Sequence, residues 1–195
     1  MDQGKVQAFF DRLAPSWDQG ETCSDSRKRA LLAGLGIRQG DRVLDVACGT
    51  GVVTALLHEL THSPVVGVDI SPKMIEIARE KYADCPWASF REGDFVEMDV
   101  DDRFDFVLIY NAYPHFGDPR ALSAKIAEAL KPSGRFAILH SLSRAQLDVH
   151  HAHCRDVSRS LLPPNEEAEY FEREFCVEQA DEGDDYYLIA GAKRS

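Results

Sequence analysis

A chain of 195 residues is sized for one domain with a sizeable core, and its composition, 44% hydrophobic and 28% charged, is that of an ordinary globular protein. No apolar run approaches the roughly 18 residues needed to cross a bilayer, which excludes a membrane-spanning protein. The formal net charge of −11 repels a phosphate backbone and argues against a nucleic-acid partner; Arg27-Lys28-Arg29 is the one short basic run and reads as a solvated helix face.

The first residues, MDQGKVQAFF, lack an apolar signal segment, so the cytoplasm is the expected compartment. Residues 3–13 and 24–35 read as two helices. In the first, Val6, Phe9, Phe10 and Leu13 recur at helical spacing, as suits packing on a sheet or a lid over a ligand pocket. Strands are expected at 42–47, 65–70, 87–91, 104–110 and 135–140, short runs almost continuous in hydrophobicity and therefore covered on both faces. Helices are expected between them at 51–60, at 72–82 behind Ser71 and Pro72, and at 119–130 behind Asp118. A further helix is expected over 143–160. Two runs at 175–179 and 186–192, separated by a turn-rich stretch, predict an antiparallel hairpin at one edge. The alternation of strand and helix is the doubly wound α/β pattern, with helices on both faces of the sheet.

The candidate chemistry lies at the strand ends. Between the first strand and its helix, Gly49-Thr-Gly51 lets a ligand approach the backbone near the unpaired N–H groups of a helix start. A dinucleotide would use such a loop, but Asp45 just before it suits a cationic ligand better, such as an amino acid joined to a nucleoside. Eighteen residues after Gly51, Asp69 ends the second strand, where a carboxylate can accept both hydroxyls of a ribose. Asp94 follows the third strand and can accept from an adenine amine, with Phe95 and Ile70 flanking the ring.

These segments resemble the class I S-adenosylmethionine (SAM)-dependent methyltransferases. Asp45-Val-Ala47-Cys-Gly49-Thr-Gly51 is similar to the first motif of that family, with alanine for its first glycine; Val66 to Met74 is similar to the second, Glu92-Gly-Asp94-Phe95 to the third, and Leu130 to Arg135 to the turn before the fifth strand. VLDVACGTG and the segment Phe9 to Asp18 look most like the ubiquinone/menaquinone-biosynthesis group. The resemblance implies a Rossmann-like, seven-stranded sheet of order 3-2-1-4-5-7-6 with strand 7 antiparallel, in a single domain whose residues 42–195 form a SAM-binding core behind the N-terminal helices of residues 1–36. It leaves open whether those helices pack on the sheet or act as a lid. The resemblance implies SAM as cofactor, with Asp45, Ala47 and Gly49 on the methionine part, Asp69 on the ribose, and Ile70, Asp94 and Phe95 on the adenine; Cys48, Gly51, Met74 and Asn111 complete the set.

Methyl transfer chiefly needs a nucleophile held in line with the sulfur–methyl bond, and a protonated acceptor also needs a base. His115, His140 and Asn111 are the catalytic candidates, and Phe9, Phe10, Trp17, Tyr113 and Phe116 the pocket walls for a small-molecule acceptor. No metal is expected. On a helix, His150, His153 and Cys154 would share one face and offer donors to a soft metal, or simply be polar groups facing solvent or the pocket. Five widely spaced cysteines without a C-x-x-C pair predict no disulfide framework. A nicotinamide-dependent oxidoreductase and a SAM-binding domain without transferase activity are the alternatives. The oligomeric state leaves no mark in the sequence.

Overall fold

The computed structural model describes residues 1–100 and 103–194. Seven strands form one sheet in the order β3-β2-β1-β4-β5-β7-β6: β1 (Val43–Val46), β2 (Val65–Asp69), β3 (Ala88–Glu92), β4 (Phe104–Tyr110), β5 (Leu130–His140), β6 (Phe175–Glu182) and β7 (Tyr187–Lys193). Strands β1 to β5 pair in parallel, and β7 runs antiparallel to both β5 and β6. The expected order and the direction of strand 7 are both observed.

Period-two alternation sorts the strand residues onto two cores. Leu44, Val46, Val107, Ile109, Phe136 and Ile138 pack on one face with Leu122 and Ile126 of α5 (Pro119–Ala129). Val43, Val65, Phe106, Leu108 and Leu139 pack on the other, under α2 (Asp25–Ala33) and α3 (Thr54–Thr61), which supply Leu32, Leu56 and Leu57. Helix α4 (Pro72–Lys81) lies over β2 and β3, where Gly67 makes room: a Cβ there would sit 2.7 Å from both Cys48 Sγ and Phe90 Cδ1.

Local chemistry starts the helices where the sequence suggests. Ser71 accepts from the Met74 N–H and Asp118 from those of Arg120 and Ala121, satisfying donors that a first turn leaves unpaired. One expected helix is cut short. Helix α6 (Arg144–His150) ends within the predicted 143–160: beyond it the Ala152 and Cys154 N–H groups turn to the i−3 carbonyls of Val149 and His151, and the Arg159 N–H donates to Pro114 O at 3.0 Å. Chain from 151 to 163 is anchored by Glu167, on the short helix α7 (Pro164–Ala168): its buried carboxylate takes a fork from Arg159, the Tyr113 hydroxyl at 2.6 Å and the Leu162 N–H at 3.0 Å.

Helix α1 (Gln3–Leu13) and two 3-10 turns, Ala14–Ser16 and Asp18–Gly20, lie across the carboxyl ends of the strands. They are tied down at two places. Asp11 accepts from Ser71 Oγ at 2.6 Å, and Asp18 accepts from Thr50 Oγ1 at 2.5 Å while pairing with Lys81 at 2.6 Å.

Candidate functional site

A cavity of about 890 Å3 opens at the carboxyl ends of β1, β2, β3 and β4, under the roof made by α1. Parallel strands leave such a crevice where neighbouring strands send their connections to opposite faces of the sheet, here between β1 and β4. The loop leaving β1 turns through left-handed backbone at Ala47 (φ 56°), Gly49 (φ 56°) and Gly51 (φ 79°). Trp17 covers it: a Cβ on Gly49 would come within 3.4 Å of Trp17 Nε1.

Five carboxylates line the cavity, those of Glu21, Asp45, Asp69, Asp94 and Asp185, against one cation, Arg27. Arg27 is paired with Asp185 at 2.8 Å, and Glu21 with the buried Lys28 at 3.3 Å. Asp45 and Asp69 make no ion pair among the described residues. Asp45, 1% exposed, accepts only a long bond from Thr54 Oγ1 at 3.4 Å, and burial, eased by that bond but reinforced by the Asp69 charge, pushes its carboxyl up to about 8. Asp69 is held from both sides, by the Gly49 and Ser71 N–H groups at 2.8 Å each; burial outweighs these two bonds and raises it to about 6. Each of its oxygens keeps a free lone pair. Asp94 accepts from Val96 N at 3.0 Å beside Phe95. Burial, and after it the charges of Asp45 and Asp69, raise the Cys48 thiol well above its usual range, so it stays protonated packing.

The far end is aromatic and imidazole-rich. Phe9, Phe10, Phe116, Leu142, Leu147, His115, His150, His151, His153 and Cys154 line it. His115 Nδ1 lies 2.7 Å from the Val157 carbonyl, which accepts from it; that bond assigns the proton to Nδ1 and leaves Nε2 as a lone pair. Its ring stands edge-on to Phe10 at 4.9 Å and to His151 at 5.1 Å between centroids. Burial lowers the His115 pKa, partly countered by the Val157 bond, and burial and His115 together lower His151 to about 4, so both rings are neutral.

Of the sequence-based candidates, Asp45, Ala47, Cys48, Gly49, Asp69, Ile70, Met74, Asp94, Phe95, Asn111, His115, Phe9, Phe10, Trp17 and Phe116 all line the cavity. Three do not. His140 follows Phe136 and Ile138 onto the buried face of β5, fully enclosed beside Tyr187, and burial depresses it to about 3; strand parity takes it out of the site. Tyr113 is likewise enclosed, its hydroxyl spent on Glu167. Gly51 turns away: a Cβ on it would meet Tyr82 Cε2 at 2.7 Å, and its carbonyl accepts from the Tyr82 hydroxyl. Asn111 lines the cavity, but its amide is engaged with Ser141 N–H at 2.8 Å and Oγ at 3.0 Å, which braces the ends of β4 and β5. His150, His153 and Cys154 lie at the cavity yet share no helical face, since α6 stops at His150; among the described residues no group of His, Cys, Asp and Glu is arranged to hold a metal.

The sequence also places the segment 140–165 at the acceptor pocket, and Ser141, Leu142, Leu147 and His151 from it do line the cavity; sequence reasoning missed Cys23, Arg27 and Tyr110. Arg27 sits on α2, Tyr110 at the end of β4 and Cys23 in the chain before α2, and no local pattern records which side chains of these segments turn to the cavity.

Residues 43–134 match the family described as "Methyltransferase domain". The demethylmenaquinone methyltransferase of Symbiobacterium thermophilum is 34% identical over 149 residues, 70% of this chain and 59% of that protein. This chain thus spans about three-fifths of the length of that relative. Among solved structures, a chain of the complex between the Haloferax volcanii Trm112 methyltransferase activator and a methyltransferase aligns with TM-score 0.79 at 24% identity, over 95% of this chain and 98% of that one. N-methyltransferase NodS from Bradyrhizobium japonicum WM9, in complex with S-adenosylhomocysteine (SAH), aligns with TM-score 0.73 at 14% identity, over 97% and 99%.

Proposed function

As a chain that carries a class I, SAM-dependent methyltransferase domain, with SAM as its cofactor, the protein is poised for methyl transfer, and we propose that it methylates a small-molecule acceptor by in-line displacement, releasing SAH. The observation that carries this reading is the pair of buried carboxylates, Asp45 and Asp69, facing one cavity without a cation of their own. A ligand with an ammonium group, a sulfonium and a ribose supplies the charge and the donors that such a pair lacks. A dinucleotide does not fit it, because its pyrophosphate would meet five carboxylates and an arginine already paired.

Bound SAM supplies an activated methyl group on sulfur. The chain does the rest. Asp45 and the Ala47–Gly49 backbone hold the amino-acid end, Asp69 the ribose, and Asp94, Ile70 and Phe95 the adenine. The roof, residues 1–36 as a lid over a core of 42–195, excludes water through Phe10 and Trp17. Phe9, Phe10 and Phe116 hold the acceptor close to the donor, within the ~3–3.5 Å that displacement needs. His115 Nε2, its partner nitrogen bonded to Val157, takes the proton of an acceptor hydroxyl or amine. The name of the relative from Symbiobacterium, a demethylmenaquinone methyltransferase, supports a small-molecule acceptor, and the net charge of −11 disfavours RNA or DNA.

Calorimetric titration with SAM, SAH and NAD tests the reading. SAM and SAH bind, NAD does not, and Asp69→Ala weakens SAM by about a hundredfold, since it removes both ribose contacts. Tight NAD binding without SAM binding rejects it.

A further inference from the structure

Beside the cavity lies a second depression whose charge is the reverse of its own. A groove of about 510 Å3 runs between α1 and the irregular chain after α6, lined by Lys5, Ala8, Phe9 and Arg12 on one wall and by residues 152–157 on the other. Phe9, His153 and Cys154 line both spaces, so the groove adjoins the acceptor end of the cavity across that wall.

Lys5, Phe9 and Arg12 stand at i, i+4 and i+7 on α1 and therefore on one face, with the two cations about 10 Å apart along the axis. Arg155 faces them from the opposite wall. All three cations are exposed, and none makes an ion pair among the described residues; Arg12 lies over the Phe9 ring at 5.4 Å and Arg155 donates to Ser160 Oγ at 3.1 Å. Among the described residues, Asp156 is the one carboxylate lining the groove. On a chain of net charge −11, three unpaired cations around one depression make a local positive field where the surroundings are negative.

We propose that this groove binds an oxyanion on the methyl acceptor, a carboxylate or a phosphate, while the ring that bears the reacting group lies in the cavity between Phe9 and Phe116. The proposal rests on the methyltransferase reading and deepens it by assigning the acceptor's charge. The two spaces divide the labour by sign. An anionic substituent placed in the cavity would face its five carboxylates, so the groove is the place that accepts it, and the aromatic wall at Phe9 is common to the two.

The test uses the SAH-loaded protein and three probes of one shape: 2-naphthoate, 2-naphthyl phosphate and 2-naphthamide. At least one oxyanion is expected to bind about tenfold or more tighter than the amide, with the difference shrinking in 0.5 M salt. The double variant Arg12→Gln/Arg155→Gln removes the preference and leaves SAH affinity unchanged, which also shows that it folds. An amide that binds as well as both oxyanions, binding by none of the three, or a preference that survives the double variant overturns the proposal. Failure of SAH itself to bind strikes instead at the methyltransferase reading.

Discussion

Asp45 should release a proton when SAM binds. Its carboxyl lies at about 8 in the free protein, so at pH 7 roughly nine in ten molecules hold it neutral. An ammonium group placed beside it requires the charged form, so binding at pH 7 expels close to one proton. The observed affinity is then about tenfold, or about 1.4 kcal/mol, below its limit at higher pH. From pH 6 to 7 the affinity rises about tenfold, and more steeply near pH 6, where Asp69 at about 6 also ionises. Titration at pH 7 in buffers of different ionisation enthalpy counts the proton directly. Asp45→Asn loses both the release and the slope. The sign for stability runs the other way: a carboxyl raised on folding binds its proton more tightly in the native state, so the free protein loses stability as pH climbs from about 4 to 8, and Asp45→Asn melts above the parent at pH 8. Tight binding at pH 7 without proton release, or equal release from Asp45→Asn, refutes the reasoning.

His115→Gln should lower kcat by about a hundredfold or more while SAH affinity holds, since the side chain faces the acceptor; an equal loss in both would assign it a purely structural role. Gly51→Ala, forced to φ 79° with its Cβ 2.7 Å from the Tyr82 ring, should cost about 1–3 kcal/mol in urea unfolding, and an unchanged midpoint would contradict the packing described. Glu167→Ala strands the Arg159 guanidinium and should cost about 3–5 kcal/mol, with a lower melting temperature as the readout.

The sheet was legible because strands covered on both faces leave continuous apolar runs, and the helix starts because Ser71 and Asp118 act on donors two or three residues away. The carboxylates at the strand ends were legible for a related reason: a charge closing an apolar run has little structural use. Long-range competition hid the rest. Beyond His150 the chain leaves the helix, and its Arg159 N–H goes to Pro114, far off in the sequence. Tyr113 is claimed by Glu167, a pairing 54 residues apart that no local pattern records. His140 was a different case, since the parity of Phe136 and Ile138 already pointed it into the core.

Helix α1 has one further consequence. Val6, Phe10 and Leu13 turn inward over the space where Asp69 and Gly49 meet, while Phe9 belongs equally to the far wall, so a single rigid rod spans donor and recipient alike. Asp11 on α1 bonds the buried Ser71 hydroxyl, and Asp18 in the turn after it bonds the buried Thr50 hydroxyl and pairs with Lys81. The roof is thus common to both ends of the chamber, so a substitution that displaces α1 reaches the cofactor side and the acceptor side together.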